Sequence, residues 1–154
     1  MLERIISGGQ TGVDRAALDV AIKLDLPCGG WCPKGRASEQ GPIADVYPLT
    51  ETPLADPAQR TEFNVRDADG TLIIAHGELT GGTALTRDFA ASLAKPCLVV
   101  DPHDPLAAKT IAAWLSEQNV RILNVAGPRE SQHPGIYQRS GKLLHAVLSG
   151  AAPC

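Results

Sequence analysis

Short apolar runs alternate with amphipathic segments along the whole chain, and this alternation is the strongest constraint on its fold. Five runs have the continuous apolar character of buried strands, at residues 4–7, 28–31, 70–76, 96–101 and 121–126. Five segments carry apolar side chains at helical spacing, at residues 13–24, 58–67, 83–94, 105–118 and 136–148. Strands that alternate with helices build a parallel sheet. We therefore predict an α/β fold, with a doubly wound, mostly parallel sheet covered by helices on both faces, in one domain over residues 1–154.

Charge and hydropathy exclude several classes of partner. The formal net charge is −3 and the isoelectric point is about 5.7, so the chain lacks the basic excess that attracts nucleic acid. We predict no nucleic-acid partner. No apolar run approaches the roughly 20 residues that span a bilayer, and we predict no membrane association. The first residues lack the features of a signal peptide, so we expect a cytoplasmic protein.

A glycine-rich segment with the sequence SGGQTGVD, residues 7–14, follows the first strand and opens the first helix. Glycines allow the backbone to approach a ligand closely, and a helix start offers free N–H groups to an anion. The alternative is a tight turn without a ligand. We predict ligand contacts at Gly8, Gly9, Gln10, Thr11 and Gly12.

A second glycine pair precedes the third predicted helix. Gly81 and Gly82 are followed by the hydroxyl side chains of Thr83 and Thr86, and this arrangement also favours an anion. The carboxyl ends of parallel strands lie at the same edge of a sheet. We therefore expect the two glycine-rich loops to converge on one crevice that holds a small, phosphate-bearing anion.

A third polar segment follows the last strand. It contains Gly127, Arg129, Glu130 and Ser131, and an arginine can bind an oxyanion through two hydrogen bonds. The alternative is a surface connection stiffened by prolines and carrying a solvated charge pair. Its position at the shared sheet edge favours a ligand contact for these four residues.

Two further segments carry candidate ligand contacts. Trp31 could stack on a flat ligand and Lys34 could neutralise an anion, although Trp31 is equally suited to the core. On the second predicted helix, Arg60 and Asn64 lie on one side because residues i and i+4 share a face. The residues between 33 and 57 lack sustained periodicity, so we predict a long irregular excursion there.

Catalytic and metal-binding patterns are missing from the sequence. No serine stands in a nucleophile elbow, and we predict no catalytic residue. The four histidines, His76, His103, His133 and His145, are scattered, which predicts no metal site formed by the protein. The cysteines lack the spacing of a zinc site and are expected to be free thiols; they are Cys28, Cys32, Cys97 and Cys154.

Taken together, several blocks resemble the molybdenum cofactor carrier proteins. The blocks are SGGQTGVDRAALD at 7–19, GWCPKGR at 30–36, RTEFNV at 60–65, GGT at 81–83 and GPRES at 127–131. The resemblance covers essentially the whole chain. It implies a Rossmann-like fold related to the lysine-decarboxylase-like nucleotide-binding proteins.

The same resemblance implies a function. It suggests a homo-oligomer, tetramer or dimer, that binds molybdenum cofactor (molybdopterin) non-covalently, protects it and transfers it to molybdoenzymes. Molybdate or a nucleotide is the alternative ligand. Related phosphoribohydrolases carry an additional glycine and a downstream glutamate around the second loop, and here Gly82 and Thr83 are followed by neither. We therefore favour a non-catalytic carrier, and keep a phosphoribohydrolase-like enzyme and a nucleotide sensor as alternatives.

Overall fold

The computed structural model describes residues 1–150, and its centre is a five-stranded sheet. In spatial order the strands are β2 (Cys28–Gly29), β1 (Arg4–Ile6), β9 (Ile122–Ala126), β7 (Gly70–Ile74) and β8 (Cys97–Val100). Every neighbouring pair is parallel. The predicted parallel sheet is confirmed, and the last strand of the chain lies in its middle.

Five helices cover the sheet. They are α1 (Val13–Lys23), α2 (Pro57–Asp67), α3 (Gly81–Ser92), α4 (Ala107–Glu117) and α5 (Ile136–Gly150). Helix α5 packs against α1 and α4, whereas α2 packs against α3. The chain passes from β1 outwards to β2 at one edge of the sheet, and from β7 outwards to β8 at the other edge. Connections between parallel strands are right-handed, so the helices that follow β1 and β7 lie on opposite faces. The two helix groups therefore cover opposite faces, as predicted for a doubly wound sheet.

The two faces of the sheet differ in polarity. Towards α1, α4 and α5, strand residues such as Ile5, Leu123 and Val125 belong to a buried apolar cluster. The other side chains of the central strands include Asn124 and Thr71, which are also buried and joined by a hydrogen bond of 3.3 Å. Burying polar groups is unfavourable unless they are paired, so this polar side differs from an ordinary core.

The segment predicted as an irregular excursion contains short pairings. Strands β4 (Ala37–Ser38) and β5 (Gly41–Pro42) form an antiparallel pair, and β3 (Trp31–Cys32) is parallel to β6 (Thr50–Glu51). The predicted second strand over 28–31 is consequently split between two sheets. Gly30, at a φ of 126°, separates the halves.

The structure also bears on the expectations about membrane-spanning segments and free cysteines. No helix within residues 1–150 is long and apolar enough to cross a membrane. Among the described cysteines, Cys28, Cys32 and Cys97 are free thiols, and burial raises the pKa of each. Cys154 lies outside the described residues.

Candidate ligand-binding site

A cleft of about 230 Å³ opens at the carboxyl edge of the sheet, on its polar side. Its walls come from the β1–α1 and β9–α5 loops and from helices α1, α2 and α3, and one residue of β9 also lines it. The lining residues are Gly8, Gln10, Asp14, Pro57, Arg60, Thr61, Asn64, Gly81, Gly82, Thr83, Thr86, Asn124, Gly127, Arg129 and Gln132. The expected convergence of the segments that follow β1, β7 and β9 is therefore observed, with the start of α3 in place of a loop after β7.

The start of α3 forms one wall of the cleft. The helix begins at Gly81, two residues before the predicted start, because the glycines belong to its first turn. Thr80 precedes the helix without providing a side-chain cap, and no atom lies within 4 Å of where a Cβ of Gly81 or Gly82 would stand. Because Gly81, Gly82 and Thr83 line the cleft, the N–H groups that a first helical turn leaves unsatisfied lie beside the space for a ligand.

Helix α2 supplies the opposite wall. Asp56 accepts a hydrogen bond of 3.0 Å from the N–H of Ala58, and Pro57 occupies the first turn, so the helix start is well defined. Arg60 donates to the carbonyl of Gly8 at 2.9 Å. This contact fixes the guanidinium beside the β1–α1 loop and places a positive charge in the cleft.

Asn64 has a structural partner as well as a place in the cleft. Its amide donates to the carbonyl of Trp31 at 3.0 Å, and its side-chain oxygen accepts from the N–H of Trp31 at 2.8 Å. These two bonds attach β3 to α2. Trp31 itself points away from the cleft, packs edge-on against Phe63 and donates to Asp67 at 2.8 Å.

Asp14 is the buried carboxyl of the cleft. Its side chain is 8% exposed, and burial raises its pKa to about 6 even though Arg60 and Arg15 act in the opposite direction. A carboxyl with this pKa exchanges a proton near neutral pH. Within residues 1–150, it is the only carboxyl group among the residues that line the cleft.

The β1–α1 loop and the β9–α5 loop meet directly. The N–H of Val13 donates to the carbonyl of Pro128 at 3.3 Å, and Thr11 accepts from the N–H of Glu130 at 3.2 Å. Gly12 has a φ of 79°, and a Cβ at this position would overlap the carbonyl of Pro128. The start of α1, predicted to receive an anion, is thus covered by the neighbouring loop.

Glu39 ties these loops to the β4–β5 hairpin. Its carboxylate accepts hydrogen bonds from the hydroxyls of Thr11 and Ser131, and its backbone N–H donates to Gln10 at 3.0 Å. These hydroxyl bonds lower the pKa of Glu39 below its usual value. The carboxylate also lies 4.0 Å from the guanidinium of Arg129. Nothing in the local sequence pattern indicated this residue.

Ten of the seventeen predicted ligand contacts line the cleft, and seven do not. Gly9 lies against Leu49 and accepts from Arg15 through its carbonyl at 2.9 Å. Glu130 accepts from the N–H groups of Gly135 and Tyr137 at 2.9 and 3.0 Å, at the start of α5. The remaining five outside the lining are Thr11, Gly12, Trp31, Lys34 and Ser131.

Sequence reasoning missed several lining residues. Asn124 belongs to the segment 121–126 that the apolar pattern predicts as a buried strand, and an uncharged polar residue within such a strand is the signal for the cleft floor. Gln132 follows the predicted contacts Arg129, Glu130 and Ser131 in the same loop. Asp14, Pro57 and Thr61 lie within three residues of predicted contacts and complete the walls.

Residues 5–148 match the model of the circularly permutated YpsA SLOG family. The chain belongs to this family. A protein of known structure, a candidate molybdenum carrier protein from Syntrophus aciditrophicus SB, is 50% identical to this SLOG protein, with 96% of this chain and 95% of that chain covered. The two structures superpose with a TM-score of 0.93, which confirms the Rossmann-like fold. None of the curated proteins compared with this SLOG domain matches it significantly.

Proposed function

We propose that this SLOG protein binds the phosphorylated end of molybdenum cofactor in the cleft, protects the cofactor and releases it to molybdoenzymes. The observation that carries the proposal is the concentration of anion-binding groups around one cleft. The open first turn of α3 stands with Arg60 and Arg129 around the buried amide of Asn124. Backbone N–H groups and guanidinium groups are the donors that proteins use for phosphate.

The size of the cleft indicates which part of the ligand it holds. A volume of about 230 Å³ is below the roughly 300–1,000 Å³ typical of complete ligand pockets. A phosphate and the atoms next to it fit in this space. The pterin and its molybdenum would then extend outwards between the loops. The name of the Syntrophus relative, a molybdenum carrier, supports a molybdenum-containing ligand.

Titration calorimetry with molybdenum cofactor tests the proposal. Arg129→Ala should weaken binding about tenfold or more, since a hydrogen bond to a charged group contributes roughly 1.5–3 kcal/mol. Arg139→Ala is the matched control, because Arg139 is exposed on α5 and outside the cleft. Absence of saturable binding, or equal affinities of both variants, would contradict the proposal. Competition by molybdate, inorganic phosphate or AMP distinguishes the alternative ligands.

A hydrolase acting on a nucleotide is the second candidate function. It is favoured by one observation, the buried Asp14 carboxyl with a pKa of about 6 beside Arg60, since such a group can transfer a proton near neutral pH. Glu130, the other acidic candidate, is engaged by backbone N–H groups of α5. Release of free base from a panel of nucleoside monophosphates, abolished in Asp14→Asn, would support this activity; no release would exclude it for that panel.

A further inference from the structure

Three of the four histidines lie together beside the cleft, although the sequence predicted no metal site. His76 follows β7, His103 follows β8, and His133 lies in the β9–α5 loop. Because β9, β7 and β8 are neighbours in the sheet, their carboxyl ends bring the three imidazoles together. The ring centres are 4.8 Å apart for His76 and His103, and 5.9 Å from His133 to each of them.

Asp101 orients two of the three rings. One carboxylate oxygen lies 2.6 Å from Nδ1 of His76, and the other lies 2.9 Å from Nδ1 of His103. The second oxygen also accepts from the backbone N–H of His103 at 2.8 Å. When Nδ1 carries the proton, Nε2 has a free electron pair. Proteins use this pairing of carboxylate and imidazole to present Nε2 to a metal ion.

We propose that His76, His103 and His133 bind one divalent transition-metal ion of the zinc class through their Nε2 atoms, with Asp101 positioning the first two rings. Three imidazoles around a tetrahedral Zn²⁺, with Zn–N bonds of ~2.0–2.1 Å, have ring centres about 5 Å apart. The 4.8 Å between His76 and His103 is close to this value, and a ligand atom of each lies within 4.8 Å of the other. His133, 5.9 Å from both rings, has to move about 1 Å towards them to complete the site. Nitrogen-rich sites suit zinc, copper and nickel better than calcium or magnesium.

The proposed ion would lie next to the anion cleft. His76 and His133 line a small cavity of about 90 Å³, and Thr83 and Gln132 line both this cavity and the cleft. Three neutral imidazoles leave the ion with its positive charge and with one tetrahedral position open to water or ligand. The site is independent of the proposed carrier function, because its ligands are not those of the cleft.

Zinc binding to tag-free, chelator-treated protein tests the site. Dialysis against ZnCl₂ followed by metal analysis should give one zinc per chain. His76→Ala and His103→Ala should each weaken binding about tenfold or more. Loss of the orienting carboxylate in Asp101→Asn should weaken it about 10–100-fold. His145→Ala, which removes the remaining histidine on α5, should leave the stoichiometry unchanged.

Two further measurements keep the test independent of folding and of the cleft. Zinc should raise the Tm of the wild type and of His145→Ala, but not that of His103→Ala, and circular dichroism without metal should show all variants folded. Sub-stoichiometric binding by the wild type, or equal losses in His145→Ala and His76→Ala, would overturn the proposal. Cofactor titrations in the presence of chelator report on the cleft alone, so the two proposals can fail separately.

Discussion

At the scale of single residues, the cleft depends on groups held in unfavourable surroundings by their neighbours. Asp14 is buried beside Arg60 and Arg15, yet its pKa is raised because desolvation outweighs the two positive charges. Gly12 has a backbone conformation that other residues adopt only under strain. Asp14 lies beside Arg60 of α2, and Gly12 lies against Pro128 of the β9–α5 loop. Substitution of either residue should change the stability of the protein.

The pH dependence of stability should carry a contribution from Asp14. Its pKa rises from 3.8 in the unfolded chain to about 6 in the folded protein, so the folded state binds more protons between these values. The stability contributed by the protonated carboxyl is complete below pH 3.8 and is lost as the pH rises through about 6. The loss amounts to about 3 kcal/mol at most.

Chemical denaturation between pH 3.5 and 7 measures this effect, with the pH values chosen to bracket roughly the two pKa values. Asp14→Asn should lack this contribution. As the pH rises from roughly 3.5 to 7, the wild type should therefore lose unfolding free energy relative to the variant. Parallel pH profiles for the two proteins would show that Asp14 does not titrate as described.

Gly12→Ala should destabilise the protein because a Cβ would overlap the carbonyl of Pro128 at a positive φ. We expect a loss of about 2–3 kcal/mol, which lowers the Tm by roughly 5–10 °C. Gly82→Ala is the control: its Cβ would meet no atom within 4 Å, and alanine favours the helix. Thermal unfolding that affects both variants alike would contradict this assignment.

At the scale of elements, the excursion between β3 and α2 is ordered by one side chain. Arg36 donates to the carbonyls of Ile43, Ala44, Tyr47 and Leu49 at 2.9 to 3.2 Å. These bonds fold residues 43–49 against the β4–β5 hairpin. The hairpin in turn holds Glu39 against the two loops beside the cleft.

Removing this side chain should loosen the excursion without unfolding the sheet. Arg36→Ala should lower protection of the amides of residues 36–50 against hydrogen exchange, since each lost bond to a charged donor contributes up to about 1.5–3 kcal/mol. Lys34→Ala removes an exposed cation from the same segment and should leave protection unchanged. Uniform loss of protection over the sheet would show instead that Arg36 stabilises the whole molecule.

Sequence patterns predicted the five helices and the strands of the central sheet to within two residues at every end, because continuous apolar runs and helical spacing reflect burial. The pairings of β3 to β6 and β4 to β5 were missed. Strands of two residues carry no periodicity, and these depend on contacts such as those of Arg36. Likewise, nothing local places Asn124 in the cleft or joins His76 to His103; only the order of strands does so.

At the scale of the whole molecule, we expect the homo-oligomer that the family resemblance implies. The edge strand β8 leaves Val99 44% exposed, and apolar side chains on an exposed edge favour association. Val99→Lys should reduce the mass measured by light scattering after size exclusion. Val46→Lys, a substitution at an exposed apolar residue in the excursion, should not. A wild-type chain that elutes as a monomer would contradict the expectation.

The central place of β9 also constrains when the molecule can fold during synthesis. Before residues 122–126 leave the ribosome, the β2–β1 pair and the β7–β8 pair have no strand to join them. Folding of the sheet must therefore await translation of most of the chain, and the nascent protein exposes unpaired inner strands for that period. Chains truncated before β9 should accordingly be chaperone clients or aggregate, even though they contain most of the cleft.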